Sequence, residues 1–559
     1  MTLGFPTTAT ERAERGRDWP ALARRGMIAS AQPLVSATGL RVLADGGNAV
    51  DAAVAAALVG NVVLPARCGI GGDLFAIVYR PPGSGGDKGD LLAFMGSGIG
   101  PTNTSIEHLR QHGDKDGAVM AQTGPLSPAV PGMVSGAFSL LKHFGRKSFA
   151  ELAQPAIGYA ADGFPISTGE ARAIRRLRDL LGRYPTSAAV FLPGGQVPAP
   201  GTMLKQSDLA KTISQIADNG PDVFYKGDIA RRIGDFLAEN GGVLSADDFA
   251  DHATDVAPPL ASTYRGHTVY ETRLPTQGFI VLETLNIIEH AALPGDCLSC
   301  APSVHLMAEA LKLSFADRLA YAADPRVHDT PLDTILSKPF AKRRFDQIDP
   351  AAAATKVESG AITGGDTTSL CVIDGDGMMV SLIFSVSGGF GSGVVAGDTG
   401  VMLNNRAGHC FSLVDGHPNI FAPGKKTMHT LNCYLIADPD GEPVLVGGTP
   451  GGDYQPQWNV QAITGLIDGG LDVQAAIEQP RWMISPGTYP IEIGNPFQLQ
   501  IESRAGADTI EELRALGHVV TEVGPWGASG AAQLISRDPA TGVLAGGSDP
   551  RSEGLAIGL

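Results

Sequence analysis

Thr367 to Ser385 read TTSLCVIDGDGMMVSLIFS, two β-rich runs either side of Asp374-Gly375-Asp376-Gly377. Asp-Gly pairs between β-branched and large apolar residues are a strong hairpin signal, because glycine reaches the left-handed backbone that a tight turn needs. A threonine pair therefore opens a hairpin. Directly ahead of it lies AAAATKVESGAITGGD (Ala351 to Asp366), small, polar and poor in large apolar side chains. The bland account is a β-branched strand start behind a surface loop. The sharper account is chemical: a cut before Thr367 would free its α-amino group, whose pKa of about 7.7–8.0 suits a general base at neutral pH. Hydroxyl nucleophile and base would then share one residue, and threonine with its own amine is a recognised way to activate a weak hydroxyl.

The surrounding 559 residues carry 18% charged and 43% hydrophobic side chains, the composition of a well-buried globule rather than a disordered chain. At about 150 residues per domain this length predicts three or four domain-sized units, or fewer if one sheet is large. Glycine at 72 and proline at 39 predict many tight turns and close backbone approaches. A net charge of −16 and a pI near 5.2 argue against a nucleic-acid partner, whose phosphates need Lys and Arg. No run of about 18 apolar residues occurs, so neither a signal peptide nor a membrane span is expected and a cytoplasmic address follows. Six sparse cysteines read as thiols, and Cys297-x-x-Cys300 reads as a structural pair, since no second pair or spaced histidines complete a zinc site. No H-E-x-x-H or comparable ligand spacing is present, so no metal and no cofactor are expected.

Before the 351–366 seam the chain reads as mostly helical, and after it as strand-rich. Helices are predicted over Pro33–Asp45, ended by Gly46 and Gly47, and over Ala52–Val63, capped by Asn48 with Asp51 in its first turn. The second is apolar all round and must be buried. Further helices are predicted at Val134–His143, Phe149–Asp162, Gly278–His290 and Val304–Tyr321, the last capped by Ser303. Gly69-Ile70-Gly71-Gly72 sits between a helix and the strand Leu74–Arg80, the reverse of a phosphate-binding loop, so these glycines read as close packing with a share in lining a site.

Six motifs, GGNAVDAAVAAAL (Gly46 to Leu58), GIGGDLF (Gly69 to Phe75), HLMAEALKLSFADR (His305 to Arg318), TTSLCVIDGDG (Thr367 to Gly377), GTPGG (Gly448 to Gly452) and GGSDPRSEG (Gly546 to Gly554), span the chain almost end to end. In this order they make the chain resemble the γ-glutamyltranspeptidase family of N-terminal nucleophile hydrolases. The resemblance implies an α+β fold, an αββα four-layer sandwich made as one precursor. It implies cleavage between Asp366 and Thr367 into a large subunit, 1–366, and a small catalytic subunit, 367–559, that together form one folded unit. It also implies that Thr367 is the nucleophile, that Ser385 hydrogen-bonds it, and that backbone N–H groups of Gly451 and Gly452 stabilise the oxyanion.

The departures from the family pattern concern substrate. The arginine that clamps a glutamyl α-carboxylate falls at Met95, which cannot hold one. The family's asparagine after the second hairpin strand falls at Ser387, the pair that grips the α-amino group at Arg406 and His409, and the Ser-Ser pair at His429 and Thr430. Arg406 is a new cation suited to a carboxylate or dicarbonyl group, or else a structural ion pair. His409 and His429 read equally as pocket lining or as satisfied structural histidines. Leu403 to Asn432 resembles a non-glutamyl branch that includes oxamate amidohydrolase. The favoured expectation is a self-processing threonine hydrolase cleaving an amide or acyl bond of a small acid, oxamate-like substrates first. The alternatives are a γ-glutamyl hydrolase or transferase, a cephalosporin-type acylase, a C–C bond hydrolase of a biosynthetic pathway, or an uncleaved inactive homologue acting as a binding protein.

Overall fold

The hairpin forms as read in the computed structural model, which describes residues 16–17, 19–83, 89–355, 367–492 and 494–559. Strands Thr368–Asp374 and Met379–Ser385 pair antiparallel with Cys371 opposite Ser381. The turn between them is fastened by Asp374, whose Oδ1 accepts the N–H groups of Asp376 and Met378, both at 3.0 Å. Its other oxygen accepts the Ala49 N–H at 2.9 Å, so the hairpin turn also places a carboxylate at a helix N-terminus, where the dipole favours it.

That helix, Ala49–Val63, is buried at every position and carries a reciprocal capping box. Asn48 Oδ1 accepts the Asp51 N–H at 2.9 Å, and an Asp51 carboxylate oxygen accepts the Asn48 N–H at 3.0 Å. The helices at Pro33–Ala44, Met133–Phe144, Phe149–Asp162 and Gly278–Ile288 match the sequence reading within one or two residues. The Ser303 cap does not hold. The helix starts at Ala301, three residues before the expected Val304, because Pro302 fits the first turn, where its missing N–H is not needed.

Two seven-stranded sheets carry the fold. The first runs Leu555–Gly558, Gly26–Ser30, Thr368–Asp374, Met379–Ser385, Asp73–Arg80, Asp90–Gly96 and Asp255–Ala257. The second runs Ala21–Ala23, Leu544–Ser548, Gln533–Arg537, Pro443–Gly448, Tyr434–Ala437, His267–Glu271 and Leu260–Tyr264. Period-two alternation sorts the side chains between layers. Leu74, Ala76, Leu370, Val372, Leu382 and Phe384 pack against the helices around Ala49–Val63. Phe75, Ile77, Cys371, Ile373 and Ile383 face Leu435, Val446 and Ile535 of the other sheet. The outer face of that sheet is covered by Gly278–Ile288, Ala301–Tyr321 and Tyr454–Ile467. The architecture is the αββα sandwich.

A helical first two thirds and a strand-rich last third do not survive as separate regions. Seven of the fourteen sheet strands precede Thr367 and seven follow it, and each sheet takes strands from both sides. Residues 356–366 of the seam lie outside the described residues. Among the described residues no helix is long and apolar enough to cross a membrane.

Candidate active site

Register assembles the site. Ser385 lies opposite Asp73, and the pairing of Thr368 with Phe384 sets Thr367 opposite Ser385. Alternation turns all three side chains into the space between the sheets, on the same face as Phe75, Ile383 and Cys371. Thr367, only 2% exposed, donates from Oγ1 to Ser385 Oγ at 3.1 Å. Ser385 Oγ also accepts the Ser387 N–H at 2.8 Å. Ser387 holds φ +82°, a left-handed conformation that a non-glycine residue adopts only when its surroundings impose it. The glycine cluster makes this closeness possible: a Cβ on Gly72 would stand 2.2 Å from the Ser385 carbonyl oxygen, and one on Gly71 2.2 Å from that of Met402.

The Gly448–Gly452 turn approaches from the second sheet. Gly447 O accepts from Ser381 Oγ at 2.8 Å and Gly448 faces Ser369, so the chain beyond it runs toward the Thr367 end. Gly451 and Gly452 hold φ +138° and +57°, open to glycine without strain. A buried network fixes the turn. Gln277 Nε2 donates to Gly452 O at 2.8 Å and to Thr430 O at 2.6 Å. Arg318 Nη1 donates to Gln277 Oε1 at 2.6 Å and pairs with Asp453, whose second oxygen accepts from Thr488 Oγ1 at 2.8 Å.

Beside this row two of the residues expected to line a substrate pocket, Arg406 and His429, converge on a carboxylate that the sequence reading passed over. Asp73 Oδ2 accepts from Arg406 Nε at 3.2 Å and from His429 Nε2 at 2.9 Å. Arg406 Nη1 and Tyr489 OH both donate to Thr430 Oγ1, at 3.2 and 3.4 Å. Burial raises the Asp73 pKa, but His429 and Arg406 outweigh it and hold the carboxyl below its ordinary value. Arg406 is thus an ion-pair partner rather than a free cation, while its Nη2, like Asp73 Oδ1, is buried and without a partner among the described residues. His409 lies between Ser387 Oγ, 3.3 Å from Nδ1, and Asn405 Nδ2, 2.9 Å from Nε2. Met95 packs in the inter-sheet apolar cluster with Phe75, whose ring lies 4.5 Å from that of His429.

One clue to Asp73 was legible: an acid opening the apolar run Leu74–Val78 and sharing its inward face with Phe75 and Ile77 needs a buried partner. Asn405, Gln277, Asp453 and Tyr489 gave no comparable signal. Burial, aided by Arg406, lowers the pKa of both His409 and His429 to about 4. The unfolded chain, with histidine near 6.5, then binds more protons than the native one as pH falls. Stability should therefore decline from about pH 6.5 toward 4, as chemical denaturation across that range would show, and neither ring should add a transition to the activity profile above pH 5.

His305, Glu309 and His518 bring possible ligand atoms within 4.8 Å of one another. They are already engaged: Lys312 Nζ sits 2.7 Å from Glu309 Oε1, His305 Nδ1 and His518 Nε2 lie 2.9 Å apart, and His305 Nε2 meets the Asp349 carbonyl at 2.9 Å. A cation there would face the Lys312 ammonium.

The family model described as Gamma-glutamyltranspeptidase matches residues 35–559. The chain belongs to this family. A glutathione hydrolase-like YwrD proenzyme from Bacillus subtilis is 37% identical over 535 residues, covering 95% of this chain and 98% of the relative. An oxamate amidohydrolase proenzyme from Klebsiella pneumoniae is 34% identical over 541 residues, with 95% and 98% covered. The crystal structure of cephalosporin acylase from Bacillus halodurans superposes with a TM-score of 0.89 at 32% identity, covering 100% of this chain and 99% of that one. The protein is therefore an enzyme of a hydrolase and acylase family whose relatives are made as proenzymes.

Proposed function

We propose that the chain cuts itself between Asp366 and Thr367 into subunits 1–366 and 367–559, and that Thr367 then hydrolyses the amide bond of a small acid, with oxamate-like substrates favoured. The observation that carries this reading is the 3.1 Å hydrogen bond from Thr367 Oγ1 to Ser385 Oγ, at the first residue before a central strand and on the inter-sheet face. Asp366 itself lies outside the described residues.

In maturation Thr367 Oγ attacks the Asp366 carbonyl, the C–N bond breaks to leave an ester, and water opens that ester, freeing the Asp366 carboxylate and the Thr367 amine. In turnover the amine takes the Oγ proton as the oxygen attacks the substrate carbonyl. The Gly451 and Gly452 N–H groups receive the oxyanion, ammonia departs with the transferred proton, and water releases the acid from Thr367. Ser385 and the Ser387 N–H hold the hydroxyl in line. On the acyl side, Arg406 Nη2 offers a donor to a carboxylate, with His409, His429 and Thr430 around it. The apolar Met95 leaves the glutamyl clamp unfilled. The oxamate amidohydrolase relative supports this choice of acid.

The test is mass and turnover together. The purified 57.9 kDa chain should resolve into two fragments, the smaller beginning at Thr367, and the cut protein should release ammonia from oxamate faster than it cleaves γ-glutamyl or glutaryl amides. Fragments with γ-glutamyl amides preferred would keep the nucleophile and reject the acid; a single persistent mass without turnover would reject both.

A further inference from the structure

We infer that Asp73 is a specificity-determining residue of this site: its Oδ1 and the Arg406 Nη2 form an acceptor and donor pair that reads a small amide by its N–H and its neighbouring oxygen together. The inference rests on Thr367 as the nucleophile and adds to it what the substrate must present.

Three observations carry it. First, Asp73 Oδ1 and Arg406 Nη2 are buried and unpartnered among the described residues, although Asp73 Oδ2 and Arg406 Nε are bonded to each other at 3.2 Å. Buried polar atoms in native proteins are nearly always hydrogen-bonded, and two orphans on one ion pair, one accepting and one donating, point to a ligand that supplies both partners. Second, Asp73 stands two strands from Thr367 in the same row and on the same face. Two spacings of about 4.8 Å separate the backbones, with Ser385 between them in the row. Ser97, which extends the register opposite Asp73, adds a third buried orphan, its Oγ. Third, Asp73 cancels the Arg406 charge, so the pair is not an anion trap. It selects by hydrogen-bond pattern, and oxamate has that pattern, with an amide N–H and a carboxylate oxygen on adjacent carbons.

The pair also fixes what a substitution would do. Arg406 Nε and His429 Nε2 both donate to Oδ2. In Asp73→Asn the side-chain carbonyl must therefore occupy the Oδ2 position, leaving the NH2 where Oδ1 was. Acceptor becomes donor at the one point where the substrate N–H would bind.

The experiment compares the wild type's best amide substrate with the corresponding ester, in which oxygen replaces N–H, for wild type and Asp73→Asn. The amide-to-ester ratio of kcat/KM should fall about 100-fold in Asp73→Asn, because a site built around an N–H rejects a group that leaves its partner unmatched. Equal losses on amide and ester would overturn the inference and leave Asp73 with a purely structural role. If Asp73→Asn does not mature, the wild type decides: the N,N-dimethyl amide should be about 100-fold poorer than the parent amide, and equal turnover would overturn it. A matured wild type that turns over neither amide nor ester removes the Thr367 reading itself, and this inference falls with it.

Discussion

Replacing Thr367 by alanine should leave one chain of 57.9 kDa and abolish turnover, a loss of at least about 10⁴-fold against the matured enzyme. On the proposed mechanism the effect is large, because the same oxygen serves maturation and catalysis. Without Oγ no ester forms at Asp366, so the α-amine that would act as base is never released. The fold should persist. Thr367 contributes one hydroxyl bond to Ser385, and loss of such a bond costs about 1 kcal/mol, small against the stability of a large core. A near-normal melting temperature with an uncut chain would thus assign the defect to chemistry. Thr367→Ser separates hydroxyl from methyl, and should still cut, more slowly, because serine lacks the β-branch that restricts the rotamer. Cleavage at the same bond in Thr367→Ala would remove the residue from its role.

How far local sequence reaches is clear from particular residues. The hairpin was legible because Asp374 and the glycines after it fold on their own neighbours: both turn bonds from Asp374 Oδ1 span four residues or fewer. The Ala49–Val63 helix was legible for the same reason, Asn48 and Asp51 capping one another. The Ser303 cap was misplaced because a serine and a proline both signal a helix start, and the proline, one residue earlier and in the first turn, won. Which residues partner Asp73 was not legible, since Arg406 lies 333 residues away and His429 356. Local pattern offered Arg406 as either a ligand group or an ion pair. The structure shows the ion pair: Nε engages Asp73, while Nη2 is unpartnered among the described residues. Sheet order failed in the same way: neither periodicity nor composition says that Gly26–Ser30 lies beside Thr368–Asp374.

Gly451→Ala should lower kcat by about 10²–10³-fold, the loss seen when an oxyanion donor is removed, with KM changed much less. The argument is steric. An alanine Cβ at 451 would stand 2.4 Å from the Trp458 ring, on a backbone whose φ of +138° already disfavours any side chain. Trp458 cannot move aside cheaply, because it is buried, donates from Nε1 to Trp482 O at 3.2 Å and lies 5.1 Å from the Arg481 guanidinium. The far side of the turn is held as well, by the Tyr454 N–H on Gly451 O at 3.0 Å, by Gln277 on Gly452 O and by Asp453 on Arg318. With both flanks anchored, the strain falls on the two peptide units whose N–H groups are proposed to receive the oxyanion, and on that reading a small rotation there costs catalysis before it costs folding. Gly448→Ala is the matched control, since its Cβ would approach nothing closer than Ser381 Oγ at 3.5 Å, an ordinary contact. It should lose much less activity than Gly451→Ala. Single-turnover measurement on matured protein separates the outcomes: a slowed acylation step in Gly451→Ala alone supports the turn as the oxyanion site, whereas equal losses in both variants would move that role elsewhere.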